Sequence, residues 1–248
     1  MTKKLGLGKE VAASPVGGDA ETALVQDMAE LAGMARRRAA AYALLARIFR
    51  VEVDQDFLKE LRGTRFPAKT GNDDIDEGYR LIASYLSHAK GDALTELAVD
   101  YVRAFIGGGF DGHAAAYPYE SVYTSEKRLL MQEARDEVLA IYRANGLDKA
   151  PEWAEAEDHV ALELEFERLL CERAAEAFDA GDEEDATRLL ETQRGFAQAH
   201  LAAWVPAFVH DVLHFAKSDF YLGAARLLRG FVHEDVAFLD ELLAADAA

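Results

Sequence analysis

From Ala20 onward the apolar residues return at three- and four-residue steps, and this spacing constrains the fold more than any other feature of the chain. Leu24, Met28, Leu31 and Ala35, then Tyr42, Leu45 and Phe49, would share one face of a helix. No five-residue stretch alternates apolar and polar residues strongly enough to compete as a strand. The hydrophobic share is 50% of 248 residues and no composition break divides it, which predicts an all-α, single compact multi-helix bundle over residues 20–248. Residues 1–19 mix Lys, Gly, Ser and Pro15 without periodicity and are expected to form a flexible N-terminal tail.

Asp54 is placed to cap a short helix holding Phe57, Leu58 and Leu61, and the Gly, Pro and Asn of 62–73 read as a connection. Helices over 74–90 and 92–105 follow, with apolar stripes through Ile75, Ile82 and Leu86 and through Leu97, Tyr101 and Phe105. Gly107-Gly108-Gly109 then opens an irregular segment, 106–123, of a length that in compact domains is disproportionately functional. Thr124 or Ser125 can start a helix to Ala144, stopped by Asn145-Gly146, and the next is expected over 154–180. The pattern over 183–217 is one long helix kinked at Pro206, or two helices. A last helix is expected to be interrupted near Gly230.

Lys and Arg total 27 against 45 Asp and Glu, a formal charge of −18. Such a surface repels nucleic-acid phosphates and anionic lipid, and it speeds encounter with a basic peptide. The single cysteine, Cys171, excludes an intrachain disulfide and a thiolate metal cluster. No apolar run reaches the roughly 20 residues that span a bilayer, so stable membrane insertion is not expected. The first twenty residues carry no secretory apolar region, and Arg36, Arg37 and Arg38 lie inside a helical pattern; the protein is not expected to be exported itself.

Catalytic signatures are sparse. No P-loop, Gly-x-Ser-x-Gly elbow, Cys-x-x-Cys pair or dinucleotide fingerprint occurs. No histidine has a glutamate three residues before it, the spacing of a bundle metal site. His210 and His214 share a helix face without an obvious third ligand. Asp158 and His159 could serve acid–base chemistry, since a carboxylate tunes a nearby imidazole, and an ionised Asp158 would raise the pKa of His159. One functional reading is therefore a helical metal- or cofactor-binding enzyme using Asp158, His159, Glu163, His210 and His214.

A second reading rests on four ordered segments. These are Tyr101-Val-Arg103-Ala-Phe105-Ile-Gly107, the loop Pro118-Tyr119-Glu120-Ser121-Val122-Tyr123, the set Glu155, Asp158, His159, Glu163, Leu164 and Phe166, and the aromatic series Phe196, His200-Leu201, Trp204, Phe208 and Phe220-Tyr221. Together they resemble the TorD/DmsD/NarJ family of molybdoenzyme maturation chaperones, the TorD-like branch above all. Tyr117 stands where that family commonly has a second proline, Ala156 replaces a proline, Glu167 replaces a methionine, and the Gly-rich stretch 107–116 is long.

The resemblance implies a cytoplasmic, non-enzymatic chaperone, without a catalytic residue, metal or cofactor of its own. Its partners would be the twin-arginine signal peptide, and in some members the body, of a molybdopterin oxidoreductase; the chain would be a monomer or a swapped dimer. The implied peptide-binding residues are Asp158 and His159, with Pro118, Tyr119, Glu120 and Ser121 nearby and Tyr101 and Phe105 as apolar walls. The chemistry agrees: Asp158 and Glu120 can accept guanidinium hydrogen bonds, and Tyr119, Tyr123 and Phe105 offer apolar and cation–π surface.

Overall fold

A computed structural model describes residues 17–89, 91–107 and 115–246. Ten α-helices occur among them: α1 (Gly17–Arg50), α2 (Gln55–Gly63), α3 (Asp73–His88), α4 (Ala93–Tyr101), α5 (Glu120–Thr124), α6 (Glu133–Ala144), α7 (Val160–Ala180), α8 (Glu183–Phe196), α9 (Ala202–Phe215) and α10 (Asp219–Asp246). No strand is present among the described residues, as the period predicts. None of the described helices is long and apolar enough to cross a membrane. The tail expected over 1–19 lies outside the described residues up to residue 16, and Gly17–Asp19 form the first turn of α1.

Two long helix pairs frame the core. α1 lies along α7, and α3 along α10. The first pair approaches closely because its facing positions are small: Ala32, Ala35 and Ala39 on α1, and Cys171, Ala174 and Ala175 on α7, are all buried. A polar stitch fixes α1 to α10. Arg38 donates from Nε and Nη2 to the two carboxylate oxygens of Asp235 at 2.5 and 2.9 Å, and Tyr42 donates to Asp235 at 2.7 Å. Glu167, where the resembled family has methionine, points into this same region. Burial, with Asp235 nearby, holds its carboxyl pKa well above the ordinary value, so it sits there as a neutral acid.

α3 and α10 cross on glycines. A Cβ on Gly78 would stand 2.8 Å from the Gly223 carbonyl oxygen, and one on Gly223 would stand 2.7 Å from that of Gly78. Gly230 belongs to the same seam, since a Cβ there would meet Ile75 at 2.8 Å. This corrects the expected interruption near Gly230: α10 runs through it unbroken, and the glycine provides room for a neighbour.

Three further boundaries differ from the sequence reading. The helix expected from residue 124 to Ala144 is split, with 125–132 irregular and both Arg128 and Met131 at positive φ (51° and 56°). The helix expected from residue 154 begins only at Val160. The 183–217 pattern is neither a plain kink nor two separate helices. A π-helical turn, Ala197–Leu201, joins α8 to α9, so the break falls ahead of Pro206, which sits exposed inside α9.

A second π-helical turn, Val102–Ile106, ends α4 and is closed by Gly107 at φ 75°. The Ala104 carbonyl, one of the last four of this helix and so without a donor inside it, accepts the Ala116 N–H at 2.8 Å, which draws the returning chain back onto α4. Most of the Gly-rich stretch 107–116 lies outside the described residues.

The glycine seam gives a direct test. Gly78→Ala should destabilise the fold by about 1–3 kcal/mol through overpacking, less up to about 1 kcal/mol of gained helix propensity. Gly195→Ala, where the new methyl meets nothing within 4 Å beyond its own helix backbone and chain neighbours, should leave stability unchanged or raise it. Urea denaturation of both variants checks the contrast.

Candidate functional site

The loop 115–119 crosses the chain just ahead of α7, and the two segments pair as a short antiparallel bridge between Tyr119 and His159. Glu120 N–H donates to the Asp158 carbonyl at 3.0 Å, and Val160 N–H donates to the Pro118 carbonyl at 2.9 Å. Pro118 has no N–H to offer and needs none, because its carbonyl carries the pairing. The structure therefore brings six of the eight sequence-predicted residues, 118–121 and 158–159, into one place.

Asp158 is wholly buried (0%), and its carboxylate is already engaged. Oδ2 accepts the Ser121 N–H at 2.9 Å and the Ser121 hydroxyl. It thus satisfies a free amide in the first turn of α5 from outside the helix, a capping function performed across 37 residues of chain. Ser121 Oγ in turn accepts the Gln132 N–H at 3.2 Å and so ties down the end of the 125–132 segment.

His159, 3% exposed, is the N-cap of α7; its Nδ1 accepts the Ala161 N–H at 3.1 Å. Burial lowers its pKa from 6.5 to about 3, so the ring is neutral. The expected rise caused by Asp158 is overturned, because loss of hydration governs this imidazole.

Glu120 is 3% exposed and faces inward, with His200 Nδ1 at 3.0 Å from its Oε2. Beside it Glu163 accepts the Trp204 Nε1–H at 3.0 Å. Burial first, then the neighbouring Glu120, holds the Glu163 carboxyl well above the ordinary range, so it carries its proton. This network, Glu120, His200, Glu163 and Trp204, joins α5, α7, the π-turn and α9. His200 was not among the predicted site residues: its partner lies 80 positions away and leaves no local signature.

Tyr119 is the reachable member of the group. It is half-buried, its ring sits edge-on to His159 with centroids 5.0 Å apart, and its hydroxyl donates to the exposed Glu155 carboxylate. Burial and that carboxylate push its phenol pKa up. Tyr101 is buried and donates to the Phe49 carbonyl at 3.1 Å; burial, Glu155 and Glu52 push its pKa up to about 12. Its hydroxyl thus shares the acidic field that surrounds Tyr119. Phe105 lies deeper, packed between Phe49, Tyr101 and Tyr221, and belongs to the core.

His210 and His214 stand exposed on α9 beside Asp211, which accepts a hydrogen bond from Tyr123. Among the described residues no group of three or more His, Cys, Asp and Glu side chains is arranged to hold a metal ion.

A family model described as the nitrate reductase delta subunit matches residues 72–210. The chain is 34% identical over 151 residues to the chaperone protein TorD of Vibrio cholerae serotype O1, covering 61% of this chain and 66% of that protein, a little under two thirds of its length. It is 28% identical over 221 residues to the chaperone protein TorD of Shewanella pealeana, covering 83% and 91%. Among solved structures, a redox enzyme maturation protein from Archaeoglobus fulgidus aligns over 82% of this chain and 93% of its own, at 18% identity and a TM-score of 0.40.

The protonated Glu163 has a measurable consequence. Its folded-state pKa lies above the unfolded one, so its contribution to stability is complete at acid pH and is lost as pH rises from about 4.3. Glu163→Gln can still accept the Trp204 N–H but does not titrate. The melting temperature of this variant relative to the parent should therefore climb between pH 5 and 8; a constant difference across that range excludes a protonated Glu163.

Proposed function

The chain belongs to the nitrate reductase delta subunit family, and from that premise we propose that it is a cytoplasmic, non-enzymatic chaperone of molybdoenzyme maturation that binds the twin-arginine leader of its client oxidoreductase. That these relatives are named chaperones supports the general role. One observation carries the peptide site: the bridge between Tyr119 and His159 gathers the loop 118–121, the start of α7 and the exposed Glu155 into a single feature.

Within that feature the residues divide by accessibility. Asp158, His159 and Glu120 are buried, and Asp158 Oδ2, His159 Nδ1 and the Glu120 carboxylate are engaged by the protein itself. They shape and hold the loop. Direct contact with a leader falls to Tyr119 and Glu155, with Glu52 adding negative charge behind them. A guanidinium can displace the tyrosine hydroxyl from Glu155, take a charge-assisted pair of hydrogen bonds and lie against the phenol ring. The net charge of −18 favours arrival of a cationic segment over an anionic one.

Calorimetric titration tests this with a leader peptide and with the same leader carrying Lys-Lys or Ala-Ala in place of the arginine pair. Tight binding of the first alone is expected; equal affinity for all three would falsify leader recognition. Variants separate the roles. Glu155→Gln should weaken leader binding about tenfold, the loss of roughly one charged hydrogen bond, at an unchanged melting temperature. Asp158→Ala should lower stability by about 1–3 kcal/mol, because it strands buried donors on Ser121, and should weaken binding through the loosened loop. Were Glu155→Gln to bind normally, the contact surface would lie elsewhere.

A further inference from the structure

At the other end of α7 from the Tyr119 feature, residues 27–31 of α1, the end of α7, α8 and the end of α10 border a cavity of about 920 Å³. Its floor is apolar. Met28, Leu31, Leu242 and Leu243 are only half-buried there, over the buried Phe178 and Leu190. Its edge is acidic: Asp27, Glu183, Glu184 and Glu191 are exposed, and none of them is in an ion pair among the described residues. Arg188, the cation lining it, is already taken by Asp185. Such a groove fits a short segment carrying both apolar side chains and positive charge.

The chain supplies one. Residues 1–16 precede α1 and lie outside the described residues. They contain Lys3, Lys4 and Lys9 against the single acid Glu10, with Leu5, Leu7 and Val11 between and beside them. This is a local surplus of cations in a chain where acids outnumber them 45 to 27. Reach permits the fit. Gly17 stands about ten residues, roughly 15 Å along the helix, from Asp27 at the groove. Sixteen extended residues span up to about 50 Å, so a reversal still leaves several residues to lie across Met28, Leu31 and Leu243.

We propose that this groove is the seat of the chain's own segment 1–16, with Leu5 and Leu7 on the apolar floor and the lysines against Asp27, Glu183, Glu184 and Glu191. The tether keeps the local concentration of the segment in the millimolar range, so weak contacts suffice. The seat is independent of the leader site. It covers the half-buried leucines at the end of α10 and withholds from other basic segments a groove whose chemistry would accept them.

Disulfide trapping in the full-length chain tests this. Cys171 is buried and does not compete. Leu7→Cys paired with Leu243→Cys should cross-link within one chain under mild oxidation. The rate should exceed that of Leu7→Cys paired with Ala29→Cys by about tenfold, since an unseated tether anchored at Gly17 meets both sites alike. Ala29 is exposed on α1 at the height of Met28 and Leu31 but does not line the groove. Adding Lys3→Glu, Lys4→Glu and Lys9→Glu should return the fast pair to the control rate at low salt. Equal rates for the two pairs, or a cross-link that forms only between chains and so marks a second copy as occupant, would overturn the proposal.

Discussion

The carboxylate of Asp158 is the constraint around which the candidate site is organised. It sits without solvent contact, and its hydrogen bonds reach not to a neighbouring residue but to the start of a five-residue helix 37 positions earlier. A helix of that length has no stability of its own. α5 exists because Asp158 occupies its first amides, because the bridge at Tyr119 aligns the chain before it, and because Ser121 passes a further bond to Gln132. Without that carboxylate the path from Ala115 to Glu133 has little else to define it.

Buried acids recur in this molecule, and each is handled differently. Asp235 is neutralised by a fork from Arg38. Asp158 accepts a backbone and a hydroxyl donor, both on Oδ2. Glu120 has an imidazole beside it. Glu163 and Glu167 keep their protons, because nothing near them repays the desolvation of a full charge. These five, among the seven acidic residues buried in the described part of the chain, are costly as stabilising elements, and well-packed apolar residues would serve that end better. Their value lies in specifying which helices meet: Glu120, Glu163 and Asp235 each join elements distant in sequence.

Sequence reading reached the fold through period and caps. The helical stripes survive in α1, α3 and α4, and Asp54 caps α2 through the Phe57 amide at 2.8 Å, as its position suggests. The misses have physical reasons. Glu-Lys-Arg-Leu-Leu-Met at 126–131 is a run of good helix formers, yet Gln132 gives its N–H to Ser121 and two residues take positive φ. Tertiary bonding overrode propensity there. Gly230 carried the mark of a break and proved to be a contact point, which only the partner helix reveals. At the site, the motif located the right residues, but an acid followed by an imidazole cannot declare from order alone that both are buried. The accessible pair, Tyr119 and Glu155, became apparent from geometry.

The π-turn at Ala197–Leu201 amounts to one surplus residue wound into an otherwise regular rod. Upstream and downstream of it the helix follows separate angular phases, about 100° apart for each residue gained or lost. His200 faces Glu120, and Trp204 faces Glu163, on the strength of that offset. A one-residue deletion inside the turn, silent in composition and charge, would iron the rod straight and swing α9 out of register with α8. The inward-facing imidazole thus depends less on which amino acids flank it than on how many.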